Sequence, residues 1–382
     1  MAPHPVTEYT SEASWAMVED KFSPYAKETL AKLITFVEEE VLADCRNCAE
    51  PCEEGHDSYP GRLTIDTDSP LLGTVKPYRR QVVISTGKTD WDREVTETRG
   101  SLAALLCGAK NAANLPIAEP TPPATPSPQA ARAPAGVFRA ADSTRVSILN
   151  GSHSTIADDA EQDTVLVFPD YTAVADVPRT RDGARALWEW AVDPAVERGS
   201  AVVEKMPFRT WVLPYSCVIL LCSHKKRDNR CALTAPKLEQ GDTLHPIVRR
   251  VLIYTAAFIH SLQENGWAAD TQLECHCLMG TPIEDLQGTY DERQETIAKE
   301  LKSSAAEKRV LILKTSHITG HKFAGNCVIY TPQGSGVWYG RVSPHEVESI
   351  VINTIIHGRV LAPLLRGGLN ISRPGCKSLN DW

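Results

Sequence analysis

The sequence predicts an α/β fold made of two similar domains that follow each other along the chain. The chain has 382 residues, which is enough for two ordinary domains. Short apolar runs typical of buried strands alternate with helical patterns in both halves. A proline-rich stretch interrupts the first half and cannot contribute to a packed core.

The first half begins with a predicted helix over Ser23–Asp44, which Ser23 can cap. A strand is predicted at Gln81–Thr86 and a helix at Arg93–Ala113. The stretch Leu115–Gly136 is rich in Pro, Ala, Ser and Thr, so we predict a mobile insert there. Two further strands and a helix complete this half: Thr144–Leu149, Thr164–Phe168 and Thr180–Val192.

The second half begins near Arg209 with a buried strand that includes Cys217–Leu221. A helix over His245–Asn265 and a buried strand over Arg309–Lys314 follow it. The segments "CVIYTP" and "GVWYGRV" predict a hairpin, and a last helix is predicted over Pro344–His357.

Each half therefore has the order strand–helix–strand–strand–helix, which is typical of the thioredoxin architecture. We predict an N-terminal thioredoxin-like domain over 1–200, with its mobile insert at 115–136, and a C-terminal thioredoxin-like domain over 201–365. Residues 366–382 are rich in Gly, Ser and Asn and are predicted to form a flexible tail.

Composition restricts the class of function. The net charge of −8 argues against non-specific nucleic-acid binding, which requires a basic surface. The first twenty residues lack the apolar core of a secretion signal. Apolar runs such as Val251–Ile259 are too short for a membrane helix. We expect a cytoplasmic protein, also compatible with the nucleus, that binds neither nucleic acid nor membrane.

Two pairs of metal-ligating residues follow predicted strands in the second half. Cys222 and Cys231 enclose the basic loop "CSHKKRDNRC", and His317 and His321 lie four apart in "TSHITGHKFAGN". If the strands before Cys222 and His317 are parallel neighbours, both loops emerge at the same edge of the sheet. We therefore predict one metal centre at this edge.

The spacing leaves two kinds of centre open. Zinc accepts two Cys and two His, but its cysteines are usually two to four residues apart. The wider loop between Cys222 and Cys231 favours a larger object such as a [2Fe–2S] cluster, and two Cys with two His is the Rieske ligand set. A coordinated imidazole has a second ring nitrogen that can hold a proton, so electron uptake would be coupled to protons.

The loop itself is basic, although the protein is acidic. Four cations surround the predicted centre and would favour docking of an acidic redox partner: Lys225, Lys226, Arg227 and Arg230. His224 lies within the same loop and is a rival ligand.

These motifs resemble the sucrase/ferredoxin-like family. The resemblance rests on "VILLCSHKKRDNRCA", on "LKTSHITGHKFAGNCVIYTPQGSGVWYGRV" and on "GTVKPYRRQVVISTGKTDW" near the N-terminus. It implies that the C-terminal domain is a thioredoxin-like ferredoxin. It also implies an iron-containing [2Fe–2S] cluster bound by Cys222, Cys231, His317 and His321.

The last residues are "LNDW". Cytosolic iron–sulfur proteins that resemble this one often end in a short signal that finishes with an acidic residue and a terminal aromatic. The cytosolic iron–sulfur targeting complex recognises this signal. Asp381 and Trp382 fit this pattern, whereas Asn380 departs from the aliphatic residue that usually precedes them. We expect this complex to be a partner of the tail.

The N-terminal half has a second cluster, "CRNCAEPCEEGH". A second metal site, with zinc as the ion, would use Cys45, Cys48, Cys52 and His56. A redox dithiol of Cys45 and Cys48 is the alternative. It is the weaker one, because this Cys pair follows a helix, whereas thioredoxin motifs follow a strand.

Three classes of function remain open. The first is an electron carrier without a substrate of its own, which a flavin reductase or another donor protein would reduce and an unidentified acceptor would oxidise. The second is a thiol oxidoreductase of thioredoxin type. The third is a zinc-stabilised interaction module. The ligand set favours the non-enzymatic electron carrier with proton-coupled redox chemistry.

Overall fold

The computed structural model describes residues 29, 31–33, 36, 37, 42, 43, 69–113, 133–196, 208–223, 254–273, 278, 280–320, 323–342 and 346–382. It is a mixed α/β structure with a large mixed sheet, which confirms the predicted class. None of the helices within these ranges is long and apolar enough to cross a membrane.

The strands are β1 Leu42–Ala43, β2 Arg80–Ser85, β3 Val137–Phe138, β4 Val146–Gly151, β5 Gln162–Phe168, β6 Thr172–Pro178, β7 Arg209–Val212, β8 Cys217–Cys222, β9 Ala268–Asp270, β10 Arg309–Thr315, β11 Cys327–Tyr330, β12 Gly336–Tyr339, β13 Val360–Leu361 and β14 Leu365–Leu369. The α-helices are α1 Leu102–Ala113, α2 Arg181–Leu187, α3 Tyr254–Glu264, α4 Tyr290–Ala306 and α5 Val347–Ser349. Helix α2 continues as a π-helix over Trp188–Val192, and α5 continues as one over Ile350–Ile356.

One sheet runs through both halves. Its order is β3-β14-β12-β11-β8-β10-β4-β2-β5-β6-β7, with β9 also paired to β10, while β1 and β13 form a separate parallel pair. In the first half β2 is parallel to β4 and antiparallel to β5, which is antiparallel to β6. In the second half β8 is parallel to β10 and antiparallel to β11, which is antiparallel to β12. The two blocks therefore share strand order and direction.

The registers of the two blocks also agree. The last residue of β2, Ser85, is opposite Gly151 of β4, and the last residue of β8, Cys222, is opposite Thr315 of β10. Ser85 is thus the topological equivalent of Cys222. A shared topology of this kind is what a duplicated unit would produce; the thioredoxin-like assignment of each half and the boundaries at 200 and 365 remain predictions.

The two blocks meet where β4 and β10 end. Ser152 N donates to Lys314 O at 2.9 Å, and Ser316 N donates to Asn150 O at 2.9 Å. The serine side chains complete the contact, since Ser152 Oγ accepts from Lys314 N and Ser316 Oγ accepts from Asn150 N. The contact is reciprocal: each strand end provides the same two kinds of hydrogen bond to the other.

Alternate residues of the central strands face two different cores, as the two-residue period of a strand requires. On one face, Val83 and Leu149 of the first half join Leu220 and Leu313 of the second half in a single shared core under Ile297 of α4. On the other side of each strand, Val82 and Ile84 pack with α1 and α2, whereas Ile219 and Leu221 pack with α3. The shared core therefore joins the halves in addition to the strand contact.

A chain of hydrogen bonds crosses the shared core. Trp338 Nε1 donates to the Tyr78 hydroxyl at 2.8 Å, and the Tyr78 and Tyr330 hydroxyls are 2.6 Å apart. Tyr330 donates to Gln81 Oε1 at 2.8 Å, and Gln81 Nε2 donates to Ser147 Oγ. The first half contributes Tyr78, Gln81 and Ser147, so the three links from Trp338 to Gln81 each cross between the halves. Burial raises the pKa of Tyr78 and of Tyr330, which keeps both hydroxyls protonated as donors.

Several elements differ from the sequence-based expectation. The helix predicted over Arg93–Ala113 begins only at Leu102, after a 3₁₀ turn at Val95–Glu97. Helix α4 was not predicted, although Thr289 and Glu292 form a capping box at its start. Strand β6 was also missing from the prediction. Most of the proline-rich insert and most of the Ser23–Asp44 helix lie outside the described residues.

The residues expected to form a flexible tail make specific contacts. The predicted boundary at residue 366 falls inside β14, which pairs with β12. Leu379 is buried, and its N–H donates to Gly358 O at 2.8 Å. Asn380 Nδ2 donates to the carbonyls of Ile355 and Ile356 at the end of the π-helix. These contacts provide partners for the carbonyl groups that a helix end leaves without intrahelical ones.

The contact between the two blocks makes a stability prediction. Replacing Ser152 or Ser316 by Ala leaves a buried backbone N–H without its acceptor, which costs about 1–2 kcal/mol. We expect Ser152→Ala and Ser316→Ala to lower the free energy of unfolding in urea by similar amounts, because their contacts are reciprocal. Ser303→Ala, on the exposed face of α4, is the control and should leave it unchanged. Equal midpoints for all three variants would contradict this role.

Candidate metal centre

The two loops predicted to carry the metal ligands begin at adjacent parallel strands. Strand β8 ends at Cys222, directly opposite Thr315 at the end of β10. His317 follows two residues later, and its Nδ1 atom is buried. The expectation that both loops leave the same edge of the sheet is therefore confirmed for Cys222 and His317.

The sulfur of Cys222 lies against the His317 loop. Ile318 N donates to Cys222 Sγ at 3.5 Å, and Ser223 N donates to Thr315 O at 2.9 Å. Cys222 is buried, with 2% of its surface exposed. The Cys222 sulfur therefore lies in direct contact with the loop that carries His317.

A buried arginine holds the His317 loop in position. Arg366, at 1% exposure, donates from Nη1 to Thr319 O at 3.1 Å and to Asn326 Oδ1 at 2.5 Å. Asn326 in turn accepts from Cys222 N through its backbone oxygen at 3.2 Å. One network therefore connects the His317 loop to the end of β8. The Arg366 guanidinium also lies over the Phe323 ring, 5.1 Å from its centroid.

Two glycines permit this arrangement. Gly320 has a φ of +87°, and a Cβ there would lie 2.6 Å from Arg366 Nη2. Gly325 has a φ of +88°, and a Cβ there would overlap the carbonyl oxygen of Val342. Both positions need the left-handed backbone and the missing side chain that glycine provides. The glycines of "TGHKFAGN" therefore set the path of the loop that carries His317.

The other predicted ligands lie outside the described residues. Cys231 and His321 are among them, as are His224 and the basic residues of the Cys222 loop. Within the described ranges, no three His, Cys, Asp or Glu side chains form a group that could hold a metal ion. The four-ligand set therefore remains a prediction, of which the structure brings two members together.

The N-terminal cluster is also outside the described part of the chain. Cys45, Cys48, Cys52 and His56 all fall there, so zinc binding at that cluster remains a prediction. At the other end, Asp381 Oδ2 accepts from Lys377 N and Ser378 N, whereas Trp382 is half exposed. Recognition of these two residues by a targeting complex also remains a prediction.

The first half has a histidine at the place equivalent to His317. His153 follows Gly151 by two residues, as His317 follows Thr315. His153 is completely buried, and burial lowers its pKa to about 4, with the backbone of Thr164 opposing only part of the shift. The equivalent of Cys222 is Ser85, whose hydroxyl accepts from Thr164 N at 2.8 Å. This edge of the sheet therefore carries a neutral histidine and no thiolate.

Sequence reasoning placed Cys222 and His317 at one edge of the sheet but missed Arg366 and Asn326, which connect their loops. Asn326 ends the quoted "GHKFAGN" segment and was given no role, whereas Arg366 was assigned to the tail. The available sequence signal was the segment "LLRGG", in which an arginine follows two leucines and precedes two glycines. The leucines predict burial, and the glycines allow another part of the backbone to approach closely. This segment indicates a structural arginine but does not identify its partners.

The sucrase/ferredoxin-like family matches residues 71–367, which include both blocks of the sheet and the His317 loop. The chain belongs to the sucrase/ferredoxin-like family. The resemblance seen in the sequence is thereby confirmed, and the matched region includes Cys222, Cys231, His317 and His321.

The relatives of this chain differ widely in sequence identity and in the share of the chain that they match. Actin patches distal protein 1 of Saccharomyces cerevisiae is 23% identical over 358 residues, which cover 88% of each chain. Altered inheritance of mitochondria protein 32 is 48% identical over 52 residues in Clavispora lusitaniae and 44% identical over 55 residues in Meyerozyma guilliermondii. The chain covers only 19% and 20% of the length of these last two relatives. No solved structure matches the chain.

The arginine network can be tested by a charge-conserving substitution. Arg366→Lys keeps the charge but cannot reach Thr319 and Asn326 at once, so we expect unfolding to become easier by about 2 kcal/mol. Urea unfolding measures this loss. Arg359→Lys, an exposed arginine seven residues earlier, should leave the midpoint unchanged. An unchanged midpoint for Arg366→Lys would show that the network does not hold the loop.

His153 predicts a pH dependence of stability. Its pKa is about 4 in the folded chain and about 6.5 when unfolded, so below pH 6.5 the unfolded chain binds the extra proton. Stability should therefore fall as pH is lowered from 7 to 4, by about 3 kcal/mol at pH 4. His153→Leu should remove this part of the pH dependence, whatever its stability at pH 7. His260→Gln, an exposed histidine, should keep the full dependence.

Proposed function

We propose that the chain is an electron-transfer protein that holds a [2Fe–2S] cluster through Cys222, Cys231, His317 and His321. The observation that supports it most is the convergence of Cys222 and His317 at the ends of β8 and β10, with Ile318 N–H directed at Cys222 Sγ. Family membership and the spacing of the four residues add to it. Such a cluster takes up and releases one electron.

The chain's own residues would set the properties of this centre. Two neutral imidazoles in place of two thiolates leave less negative charge, which raises the reduction potential relative to a four-cysteine site. Each imidazole has a second ring nitrogen that can hold a proton more tightly after reduction. Arg366 would keep His317 in position through Thr319 and Asn326, and its charge adds to the positive potential near the centre.

Strand β8 contains two cysteines, of which one is a proposed ligand and the other serves as a matched control. Cys217 begins β8 and Cys222 ends it, both are buried, and burial raises the pKa of the Cys217 thiol. We expect Cys222→Ser to lose bound iron and Cys217→Ser to keep it. Metal analysis and visible absorption of anaerobically purified protein measure this.

Two other outcomes would support the alternative functions. Colourless protein that contains zinc and no iron would support the zinc-stabilised module. Disulfide reductase activity that is lost in a Cys45→Ser/Cys48→Ser variant would support the thiol oxidoreductase.

A second experiment addresses the histidine ligands. His317→Cys and His321→Cys should each retain a cluster and lower its reduction potential by on the order of 100 mV, because a thiolate replaces a neutral ligand. The dependence of potential on pH should weaken in both, since each variant loses one titratable imidazole. His357→Cys, an exposed histidine after α5, is the control. A variant with the wild-type potential and pH response would exclude that histidine as a ligand.

A further inference from the structure

A cavity of about 380 Å³ opens beside His317, and we refer to it as the His317 cavity. Residues of both halves line it, among them Tyr78 and Arg145 from the first half and Trp338 and Arg366 from the second. Its volume falls within the range of small-molecule binding sites, about 300–1,000 Å³. Three members of the hydrogen-bonded chain also line it: Tyr78, Gln81 and Ser147.

The charged side chains that line this cavity, among the described residues, are all positive. Lys76, Arg145 and Arg366 line it, and none of the described residues that surround it carries a carboxylate. Arg145 Nη1 donates to the backbone oxygen of Lys76 at 3.2 Å, and both of these residues are exposed. On a chain with a net charge of −8, such a patch produces a local positive potential. Arginine and lysine together select carboxylate, sulfonate or phosphate groups.

The remaining walls are apolar and aromatic. Phe323 lies beneath the Arg366 guanidinium, and Trp338 and Tyr78 have ring centroids 5.9 Å apart. Ile318 and Leu149 extend this surface. A ligand that matches the cavity therefore has an apolar, preferably flat, body and one anionic group. An inorganic ion would leave the aromatic surface uncovered.

A second cavity of about 530 Å³ provides a comparison. It lies at the end of β2 and the start of α1, and its wall contains Lys88, Arg99 and Arg179. Three carboxylates share that wall: Asp90, Asp92 and Asp163. Arg179 is already paired with Asp163 at 2.9 Å. Mixed charges give no preference for an anion, so the selective site is the His317 cavity.

We propose that the His317 cavity binds an organic anion, with its charged group at Lys76 and Arg145 and its apolar body against Phe323 and Trp338. This binding site is additional to the proposed metal centre. His317, a proposed metal ligand, lines the same cavity, but the four residues that would contact the anion are not among the predicted ligands, so binding can be tested on the chain with or without iron.

Two fluorescent probes that differ in charge test the proposal on the full chain as purified. The first is 8-anilinonaphthalene-1-sulfonate, and the second is N-phenyl-1-naphthylamine, which lacks the sulfonate. We expect saturable binding of the sulfonate, weakened about tenfold in a K76A/R145A variant. The uncharged amine should bind both proteins equally. K88A/R99A removes two exposed cations from the other cavity and should bind the sulfonate as the wild type does.

A blocking variant separates site binding from non-specific binding. Ser147→Phe fills the His317 cavity without changing charge, and it should abolish binding of both probes there. Circular dichroism confirms the fold of each variant. The proposal is overturned if K76A/R145A binds the sulfonate like the wild type, if K88A/R99A weakens binding equally, or if Ser147→Phe leaves binding intact.

Discussion

The parallel pairing of β8 with β10 is the constraint on which the rest of the molecule depends. Six consecutive residue pairs set the register of these strands, from Val310 with Cys217 to Thr315 with Cys222. A shift by one residue would exchange the two faces and move every buried side chain into the wrong core. Strand β10 also pairs with β9 and with β4, so the same register fixes the contact between the halves. The His317 loop begins where this strand ends.

The two histidines after the parallel strand pairs show how one topology supports two environments. His153 is enclosed completely, opposite a strand that ends in a serine whose hydroxyl already accepts a backbone N–H. His317 lies beside a buried sulfur and lines a cavity open to solvent. The difference arises from a few residues at the strand ends rather than from the strands themselves. The first half thus has the strand topology of the second, but it places Ser85 and His153 where the second half has Cys222 and His317.

The sequence was sufficient for the parts of the fold that depend on local pattern. Buried strands such as Arg309–Lys314 and Thr164–Phe168 were found to within two residues, because uninterrupted apolar runs identify them. Helix α4 was missed because its mean hydropathy is low: its buried residues recur at helical spacing, but only two of them, Ile297 and Leu301, are apolar. The Cys222 and His317 loops were brought together correctly, since the ends of adjacent parallel strands share one edge.

Long-range contacts were beyond sequence reasoning. Arg366 reaches Asn326 across forty residues and Thr74 across 292. No pattern in the segment "LLRGG" specifies those partners. The same is true of the hydrogen bonds between Tyr78 and Tyr330, which depend on how the two blocks pack. The residues that position the candidate centre are therefore those that the sequence alone identifies least well.

The chain of hydroxyl and amide groups through the shared core also limits how the molecule can move. Four buried residues take part, and each has a hydrogen-bond partner in the other half: Trp338, Tyr78, Tyr330 and Gln81. Rotation of one half against the other would break several of these buried hydrogen bonds, and no water would be present to replace the lost partners. Hinge opening between the halves is therefore costly. The proposed exchange of electrons with partner proteins would therefore use the surface at the ends of β8 and β10 rather than a cleft opened between the halves.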